Sequence, residues 1–212
     1  MKKNYGLILE NTLAELSSKG ERPSLLLHAC CAPCSSYVLE YLADRFDLTL
    51  FFYNPNIDPA KEYEFRSREL CRLVCDMGLS HRVGILTAPY CPEEFEAIAK
   101  GLEHEAEGGS RCYRCYRLRL ARCAAEAKER GFDYFTTTLS ISPYKNAEWL
   151  NTIGEEEASV HGVRYLFSDF KKKNGYKRSC ELSAEYGLYR QDYCGCIHSK
   201  RIAEQRKENS ST

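Results

Sequence analysis

The segment "SLLLHACCAPCSSYVLEYLADRFDLTLFFYNP", residues 24–55, decides the fold that this sequence predicts. Its first and last parts, "SLLLHA" (Ser24–Ala29) and "LTLFFYNP" (Leu48–Pro55), are short apolar runs rich in strand-forming residues. The amphipathic stretch "SSYVLEYLADRF" between them has helical spacing. Two buried strands joined by a helix are typical of a parallel strand–helix–strand unit. The segment therefore predicts the first two strands of a parallel sheet.

The same alternation continues along the rest of the chain. Further strands are predicted at "RVGILTA", "YFTTTL" and "VRYLF". Helices are predicted from Asp58–Pro59 to about Met77, with Asp58 as the cap, at "PEEFEAIAKGLE", over Arg111–Arg130, at "NAEWLNTIGEEEASV" and in two pieces after the last strand. This order predicts an α/β fold, a doubly wound parallel sheet with helices on both faces. Ligands of such sheets bind outside the carboxyl ends of the strands, where "HACCAPC" and "SPYK" both lie.

Length and composition limit the function classes. A chain of 212 residues can bury one core, so we predict a single α/β domain over residues 1–212, with a polar, frayed tail at 203–212. The formal net charge is zero, which excludes a strong overall field for a nucleic-acid partner. The N-terminus lacks the pattern of an export signal, and no apolar run is long enough to cross a bilayer. We therefore expect a cytoplasmic protein without a membrane partner.

Twelve cysteines are far more than average usage predicts, and six of them form three close pairs. The pairs are Cys30-Cys31, Cys112-x-x-Cys115 and Cys194-Gly-Cys196. Because cytoplasmic thiols stay reduced, such clusters indicate metal binding or catalysis rather than a disulfide framework. Residues i and i+3 on a helix can point at one metal, and the glycine of the last pair lets both sulfurs converge. Adjacent side chains in extended chain point to opposite sides, so the first pair is expected to face two different sites.

Several alternatives to one metal cluster remain open at this point. Five cysteines outside the pairs are predicted to be buried structural thiols: Cys71, Cys75, Cys91, Cys123 and Cys180. Two pairs could form a four-cysteine zinc site, although six clustered thiols exceed what a closed zinc site uses. An iron–sulfur cluster with further thiols left for chemistry would use them all. Cys31-Ala-Pro-Cys34 also has thioredoxin-like spacing, which would allow dithiol exchange.

Six segments of the chain resemble one known family. They are "LLLHACCAPCS", "YNPNIDPAKEYEFR", "RCYRCYRLRL", "TTTLSISPYKN", "SDFKKKNGYKRS" and "YGLYRQDYCGC", which together extend over about residues 23–199. On these motifs the chain resembles the cobalamin-independent epoxyqueuosine reductase QueH family. The resemblance implies a Rossmann-like α/β fold related to the adenine nucleotide α-hydrolases. It also implies an oxidoreductase that removes the epoxide oxygen of epoxyqueuosine in the tRNA anticodon, the last step of queuosine biosynthesis.

The resemblance further implies an iron–sulfur metalloprotein. Its expected cofactors are a [4Fe–4S] cluster and an additional mononuclear iron nearby. The cluster ligands that it implies are Cys30, Cys31, Cys112 and Cys115. Cys194 and Cys196 are expected to form a redox-active pair, which cycles as a disulfide or helps to hold the second iron, and Cys34 is a further candidate metal ligand. Which sulfur binds which iron stays open.

Proton donors and RNA contacts are harder to choose from the sequence. The candidate catalytic acids in the matching segments are Tyr144, Lys145, Asp169 and Tyr193. Each could equally be a surface or packing residue, and Glu62 with Arg66 has the spacing of an ordinary helix pair. Basic stretches at "RCYRCYRLRLAR", Lys171–Lys173 and "SKRIAEQRK" are candidate phosphate contacts. The expected partners are tRNA bearing epoxyqueuosine and an external electron donor, and we expect a monomer.

Two other functions compete with this interpretation. A zinc-stabilised RNA-binding module without redox activity would use the same thiols. A nucleotide-dependent tRNA thiolation enzyme would share the fold class, but its phosphate loop needs a Ser-Gly-Gly cradle after the first strand. The corresponding stretch of this chain reads "HACCAPCSS", so ATP binding is not expected.

Overall fold

In the computed structural model, which describes residues 3–210, five strands form one sheet. The strands are β1 Ser24–His28, β2 Asp47–Phe52, β3 Val83–Thr87, β4 Tyr134–Thr137 and β5 Arg164–Tyr165. Their order is β3-β2-β1-β4-β5, and each neighbouring pair in this order is parallel. β1 is thus the central strand. The predicted α/β fold with a doubly wound parallel sheet is confirmed.

Eight helices and one short 3₁₀ turn connect these strands within the described chain. The helices are α1 Tyr5–Ser18, α2 Ala32–Leu42, α3 Ala60–Asp76, α4 Pro92–Ala99, α5 Ser110–Glu129, α6 Ala147–His161, α7 Gly175–Glu185 and α8 Ile197–Ser210. The 3₁₀ turn, Thr138–Ile141, follows β4 directly. α1 has no counterpart among the predicted elements.

Two predicted details of these elements are wrong. Asp58 does not cap α3, because the N-cap is Pro59, in extended backbone, and the helix begins at Ala60. The amide of Asp58 instead donates to the carbonyl oxygen of Gly195 at 2.9 Å, which ties the start of α3 to the C-terminal loop. The fifth strand was predicted over five residues, but only the second and third of them pair with β4.

Side chains on β1 alternate between two hydrophobic clusters, one on each face of the sheet. Leu25 and Leu27 pack into a cluster with residues of α1, α2 and α3. Leu26 points the other way, into a cluster with residues of α5 and α6. All three side chains are fully buried, and each such leucine contributes about 1.5–3 kcal/mol through burial. The alternation explains why helices cover both faces.

The direction in which the chain crosses the sheet reverses at β1. β2 and β3 lie on one side of β1, and β4 and β5 lie on the other. Such a switch point opens a crevice outside the carboxyl ends of the two strands that flank it. The register pairs His28 with Thr137, the last residues of β1 and β4, so the segments that follow them emerge side by side.

The C-terminal part of the chain is helical as far as it is described. Residues 203–210 of the predicted polar tail continue α8, whereas residues 211–212 lie outside the described residues. The fraying of this tail stays a prediction. Within residues 3–210, no helix is both long and apolar enough to cross a bilayer.

Candidate metal centre and active site

Three thiols meet directly after β1. The Sγ atoms of Cys30, Cys31 and Cys34, which we call the first thiol group, all lie within 4.8 Å of one another. The expectation that Cys30 and Cys31 point to opposite sides is wrong, since their Sγ atoms are 3.8 Å apart. The reason is that β1, and its pleat, end at His28. Cys31 is already the N-cap of α2, and the first turn of that helix brings Cys34 back beside it.

The spacing of the first thiol group suits a single metal ion. Sulfurs that bind one ion tetrahedrally at ~2.3 Å lie ~3.8 Å from each other. The observed distance of 3.8 Å between Cys30 and Cys31 is therefore that of two ligands on one ion. Within the described part of the chain, this is the one group of three or more His, Cys, Asp or Glu side chains with such close ligand atoms.

The first thiol group shares a negative charge at the start of a helix. Hydrogen bonds from Cys30 and Cys34, together with the amide of Cys34, hold the pKa of the Cys31 thiol well below its usual range. The hydrogen bond to Cys31 raises the pKa of Cys30 to about 12, and hydrogen bonds with Cys30 and Cys31 raise that of Cys34. The positive end of the α2 dipole favours the same charge. One thiolate is thus ready for a cation, and the other two thiols lose protons when a metal binds.

Hydrogen bonds fix the end of β1 and the loop that follows it. The amide of Cys30 donates to Oγ1 of Thr138 at 3.2 Å, and this hydroxyl lies 3.4 Å from the Cys30 sulfur. The ring of His28 lies between Oγ1 of Thr137, at 2.8 Å, and the carbonyl oxygen of Tyr53, at 3.1 Å. Burial lowers the pKa of His28 to about 3, so the ring is neutral. His28 is therefore a structural residue with both nitrogens satisfied.

Four more thiols line a small neighbouring cavity. This second thiol group consists of Cys112, Cys115, Cys194 and Cys196. The first two lie at the start of α5 and the last two lie in the loop before α8. Cys115 and Cys196 are buried together against α4. Burial raises the pKa of Cys112 and raises that of Cys115 to about 12, so both thiols are protonated and a metal would have to displace these protons to bind.

Gly195 shapes the loop that holds the last two thiols. Its φ angle is +119°, a conformation that side chains disfavour. A Cβ atom at this position would lie 3.0 Å from Nη1 of Arg66 and 3.1 Å from Cγ1 of Ile57. The position therefore requires glycine for both its backbone angle and its close packing.

The two thiol groups are neighbours. A cavity of about 390 Å³ is lined by Cys30, Cys31, Cys34 and also Cys194, and both Cys194 and Arg119 line the smaller cavity as well. All seven cysteines that the sequence suggested as metal ligands thus lie around two adjoining cavities at the carboxyl edge of the sheet. They come from three segments that are far apart along the chain.

Three buried cations share these walls: Arg66, Arg119 and Lys145 are 2%, 2% and 8% exposed. Nε of Arg66 pairs with Glu62 at 2.8 Å, and Nζ of Lys145 pairs with Glu107 at 3.0 Å. Burial opposes the charge of Lys145, but the facing Cys194 and Glu107 outweigh it and raise its pKa. The cavity is therefore both cationic and rich in thiols.

The structure separates the predicted acids. Lys145 and Tyr193 line the cavity of the first thiol group, and the ring of Tyr193 lies 5.2 Å from the guanidinium of Arg66. Tyr144 stands at the rim of the cavity with 78% of its surface exposed. Asp169 does not line this cavity; it pairs with Lys171 at 2.7 Å in a neighbouring cleft of about 840 Å³. That cleft, which we call the lysine cleft, also borders Lys145.

Comparison with known proteins agrees with this arrangement. The family model described as epoxyqueuosine reductase QueH matches residues 25–202. The chain belongs to the QueH family. The epoxyqueuosine reductase QueH of Streptococcus pyogenes serotype M1 is 43% identical over 201 residues, 94% of this chain and 79% of the relative. The QueH proteins of Staphylococcus epidermidis and Thermotoga maritima are 42% and 36% identical, over 92% and 88% of this chain and 83% and 94% of their own lengths.

Membership of the QueH family makes the protein an enzyme of the oxidoreductase class. Its residues fit a sulfur-bound metal centre, because thiolates select soft ions and iron–sulfur clusters. Nη2 of Arg66 and Nη2 of Arg119 are buried at the cavity without a hydrogen-bond partner among residues 3–210. The anionic sulfurs of a metal centre would give such donors acceptors.

Sequence reasoning missed two residues of this QueH-family site. Arg66 was interpreted as half of an ordinary helix pair with Glu62, which it is, but the pair is buried at the cavity. Arg119 was not selected, although it follows Cys115 by one helical turn and so lies on the same face of α5. That spacing was the available signal. Its burial between two thiol groups depends on the tertiary fold.

Proposed function

We propose that this enzyme removes the epoxide oxygen of epoxyqueuosine in tRNA and yields queuosine, in the cytoplasm, where thiols stay reduced. The reaction breaks both C–O bonds of the epoxide, forms a C=C bond and releases the oxygen as water. It consumes two electrons and two protons. Side chains cannot supply electrons over repeated turnovers. The two electrons therefore come from an external low-potential carrier, an iron–sulfur or flavin protein.

The convergence of seven thiols beside a cavity of about 390 Å³ is the observation that supports this function best. A purely structural metal site would be closed and would need four ligands. The first thiol group instead faces a cavity large enough for a ligand, with an exposed tyrosine at its rim. An open, sulfur-rich site suits redox chemistry on a bound substrate.

For the cofactor, we propose a [4Fe–4S] cluster with an additional iron. The proposed cluster ligands are Cys30, Cys31, Cys112 and Cys115. Because such a cluster takes one cysteine on each iron, the 3.8 Å between the sulfurs of Cys30 and Cys31 would have to widen when it is bound. Because a cluster uses four cysteines, three of the seven remain, and Cys34 and Cys194 line the same cavity as the first pair. When bound, such a cluster would supply electrons one at a time, and an adjacent iron would supply a Lewis acid.

Cys194 and Cys196 are proposed to act as a two-electron store. Oxidation of two thiols to one disulfide releases two electrons and two protons, which is what the epoxide consumes. Both cysteines are free thiols and line one cavity. The external carrier would then reduce the disulfide again.

Lys145 and Tyr193 are the proposed donors to the departing oxygen. Lys145 stays charged, so its ammonium can hold that oxygen by a hydrogen bond throughout the reaction. Burial raises the pKa of the Tyr193 phenol, which keeps its proton available for donation. Asp169 has weaker support as an acid, because its carboxylate lies with Lys171 in the lysine cleft.

Contacts to RNA are proposed outside the cavity. We propose that the ring of Tyr144, which is exposed at the rim, stacks on an unstacked base, and its exposure supports this role better than proton donation. The lysine cleft, which includes Lys171, Lys172 and Lys173, is proposed to contact phosphates of the neighbouring nucleotides.

An anaerobic assay tests the proposed function. The protein is reconstituted with iron and sulfide, given a chemical reductant and incubated with tRNA that contains epoxyqueuosine, and the nucleosides are then separated by mass. We expect queuosine to appear with bound iron and acid-labile sulfide in the protein. Iron-loaded protein that leaves epoxyqueuosine intact would exclude this activity. The prediction that Cys71 and Cys75 are buried is wrong, since both thiols are exposed on α3. Cys71→Ala is therefore the matched thiol control.

The rival interpretation, a zinc-stabilised RNA-binding module without redox activity, disagrees with membership of a family of reductases, although 3.8 Å between Cys30 and Cys31 suits zinc as well as iron. The same preparation separates the two. Colourless protein with one zinc, tight tRNA binding and no turnover would favour the module.

A further inference from the structure

Arg119 occupies a position that no other cation of the site shares. It lies on α5, one turn after Cys115, and it lines both the cavity of the first thiol group and that of the second. Its side chain is 2% exposed. A guanidinium in this place is screened from water and faces thiols on both sides.

The orientation of Arg119 is fixed by its own hydrogen bonds. Nη1 donates to Oδ1 of Asn54 at 3.2 Å, and Nε lies 3.4 Å from the carbonyl oxygen of Cys115. Asn54, itself buried, donates in turn to the carbonyl oxygen of Ala29 at 2.9 Å, next to Cys30. The guanidinium is therefore held between α5 and Asn54, which follows β2 and is itself bonded to the segment after β1. Nη2 is the group left without a partner among residues 3–210.

The charge of Arg119 also lacks a carboxylate. Arg66 pairs with Glu62 and Lys145 pairs with Glu107, whereas Arg119 forms no ion pair within the described residues. Burying an unpaired charge is strongly unfavourable, so a fold that does so must supply a counter-charge. The thiols that face Arg119 are Cys115, Cys194 and Cys30, from both thiol groups, and Tyr116 faces it as well.

Resting on the proposed function, we infer that Arg119 sets the reduction potential of the metal centre that the two thiol groups hold. Its positive charge favours the reduced centre, which carries one more electron, over the oxidised one. Its free Nη2–H is available to a sulfur ligand, and hydrogen bonds to cluster sulfurs act in the same direction. Arg119 is thus a positioning residue, which acts on the substrate only through the metal centre.

The test compares midpoint potentials of the reconstituted holoenzyme. Arg119→Gln removes the positive charge, and Arg119→Lys keeps the charge but not the planar guanidinium. Arg122→Gln is the control, because Arg122 is an exposed arginine of α5 that pairs with Glu126. Iron and sulfide are counted first, and each sample is then titrated electrochemically with the visible and EPR spectra as readouts. These readouts do not depend on tRNA or on turnover.

We expect a lower midpoint potential in Arg119→Gln at unchanged iron content, a smaller shift in Arg119→Lys and none in Arg122→Gln. If Arg119→Gln loses iron and Arg119→Lys keeps it, the potential of Arg119→Lys decides: a value below that of wild type supports the role, and an unchanged value overturns it. Equal potentials in wild type and Arg119→Gln, or equal loss of metal from both Arg119 variants, would overturn it.

The outcome is separable from that of the proposed function. A shifted potential in an enzyme that leaves epoxyqueuosine intact would keep the role of Arg119 and remove the assigned substrate. Wild-type protein that takes up no redox-active metal would remove both. For turnover, a slow chemical step with an unchanged KM for tRNA is expected in Arg119→Gln, since the residue does not line the lysine cleft.

Discussion

The two edges of the sheet hold charge in opposite ways. At the carboxyl edge, Arg66 and Arg119 are buried beside thiols, and part of their hydrogen-bonding capacity is unused among residues 3–210. At the amino edge, Asp133 accepts hydrogen bonds from the amide and hydroxyl of Ser24 and pairs with Arg164 at 3.3 Å in an exposed site. Buried charges without partners are unfavourable, whereas exposed pairs contribute little either way. The difference indicates that the carboxyl edge is built for a ligand and the amino edge for strand alignment.

The largest expected effect at the carboxyl edge is that of Cys31→Ala. The variant removes the thiolate at the centre of the first thiol group, so turnover should fall by at least about 100-fold and bound iron should decrease with it. Iron analysis and the tRNA assay measure both. Cys75→Ala, an exposed thiol on α3, should change neither. Full activity of Cys31→Ala would contradict the conclusion that the carboxyl edge holds the functional site.

Cys194→Ala and Cys196→Ala test the division between the two thiol groups. If these cysteines are a two-electron store, multiple turnover should fall to background while most of the iron remains. If they are ligands, iron and turnover should decline in parallel. A single-turnover experiment with pre-reduced protein and no external reductant adds the decisive measurement, because the wild-type dithiol can supply both electrons once and the variants lack that store.

Gly195→Ala tests whether the carboxyl edge tolerates a small change of shape. The positive φ angle and the contact with Arg66 predict a loss of about 1–3 kcal/mol in unfolding free energy. Gly20→Ala is the control. Gly20 also has a positive φ angle, but a Cβ atom at this position would have no other atom within 4 Å. Chemical denaturation measures both losses; because φ is +65° at Gly20 and +119° at Gly195, a larger loss at Gly195 combines the strain of that angle with the contact to Arg66. Equal losses would mean that the approach of Arg66 to the loop is not constraining.

Tyr144→Ala separates substrate contact from chemistry at the same edge. Loss of base stacking is worth about 1–3 kcal/mol, so the KM for tRNA should rise about tenfold. Tyr144→Phe keeps the ring and should retain normal kinetics. A Tyr144→Phe variant with normal KM and low kcat would instead restore the role of proton donor to this hydroxyl.

The smallest effect is expected at the amino edge. Hydrogen bonds from Ser24 lower the pKa of Asp133 in the folded protein, so its stabilising contribution is present above its unfolded pKa and is lost as pH falls through the folded value. Because the side chain is half exposed, Asp133→Asn should lower the unfolding free energy at pH 7 by only about 0.5 kcal/mol. The difference from wild type should vanish in strong acid, and turnover at pH 7 should be unchanged.

Sequence reasoning succeeded where a local pattern determines the structure. The apolar runs around Leu25–Leu27 and Leu48–Phe52 predicted β1, β2 and their parallel pairing, since strands buried on both faces lack polar alternation. Sequence reasoning failed where the direction of a side chain depends on the exact residue at which a strand ends. Cys30 and Cys31 would point apart in a strand, but the chain leaves the pleat before them and enters α2.

The candidate site was only partly predictable for a related reason. Spacing within the chain identified each cysteine pair, because i, i+1, i+2 and i+3 relations are local. Which pairs are neighbours is decided by how α5 and the C-terminal loop dock on the sheet. The face of Arg119 follows from its distance to Cys115, but the absence of an ion pair for it within the described residues does not. Charge balance in a buried site is a property of the assembled fold.

The hydrogen bond between the amide of Cys30 and the hydroxyl of Thr138 makes the candidate metal site depend on the pairing of β1 with β4. Each of these residues follows its strand at a fixed interval, so their contact exists only when His28 is opposite Thr137. A slip of one residue would displace Cys30 by ~3.3 Å and turn it to the other face. Metal binding would then require the correct strand register, because only correctly aligned strands bring the full set of thiols together. Any ion bound there would in turn lock the central pair of strands in place.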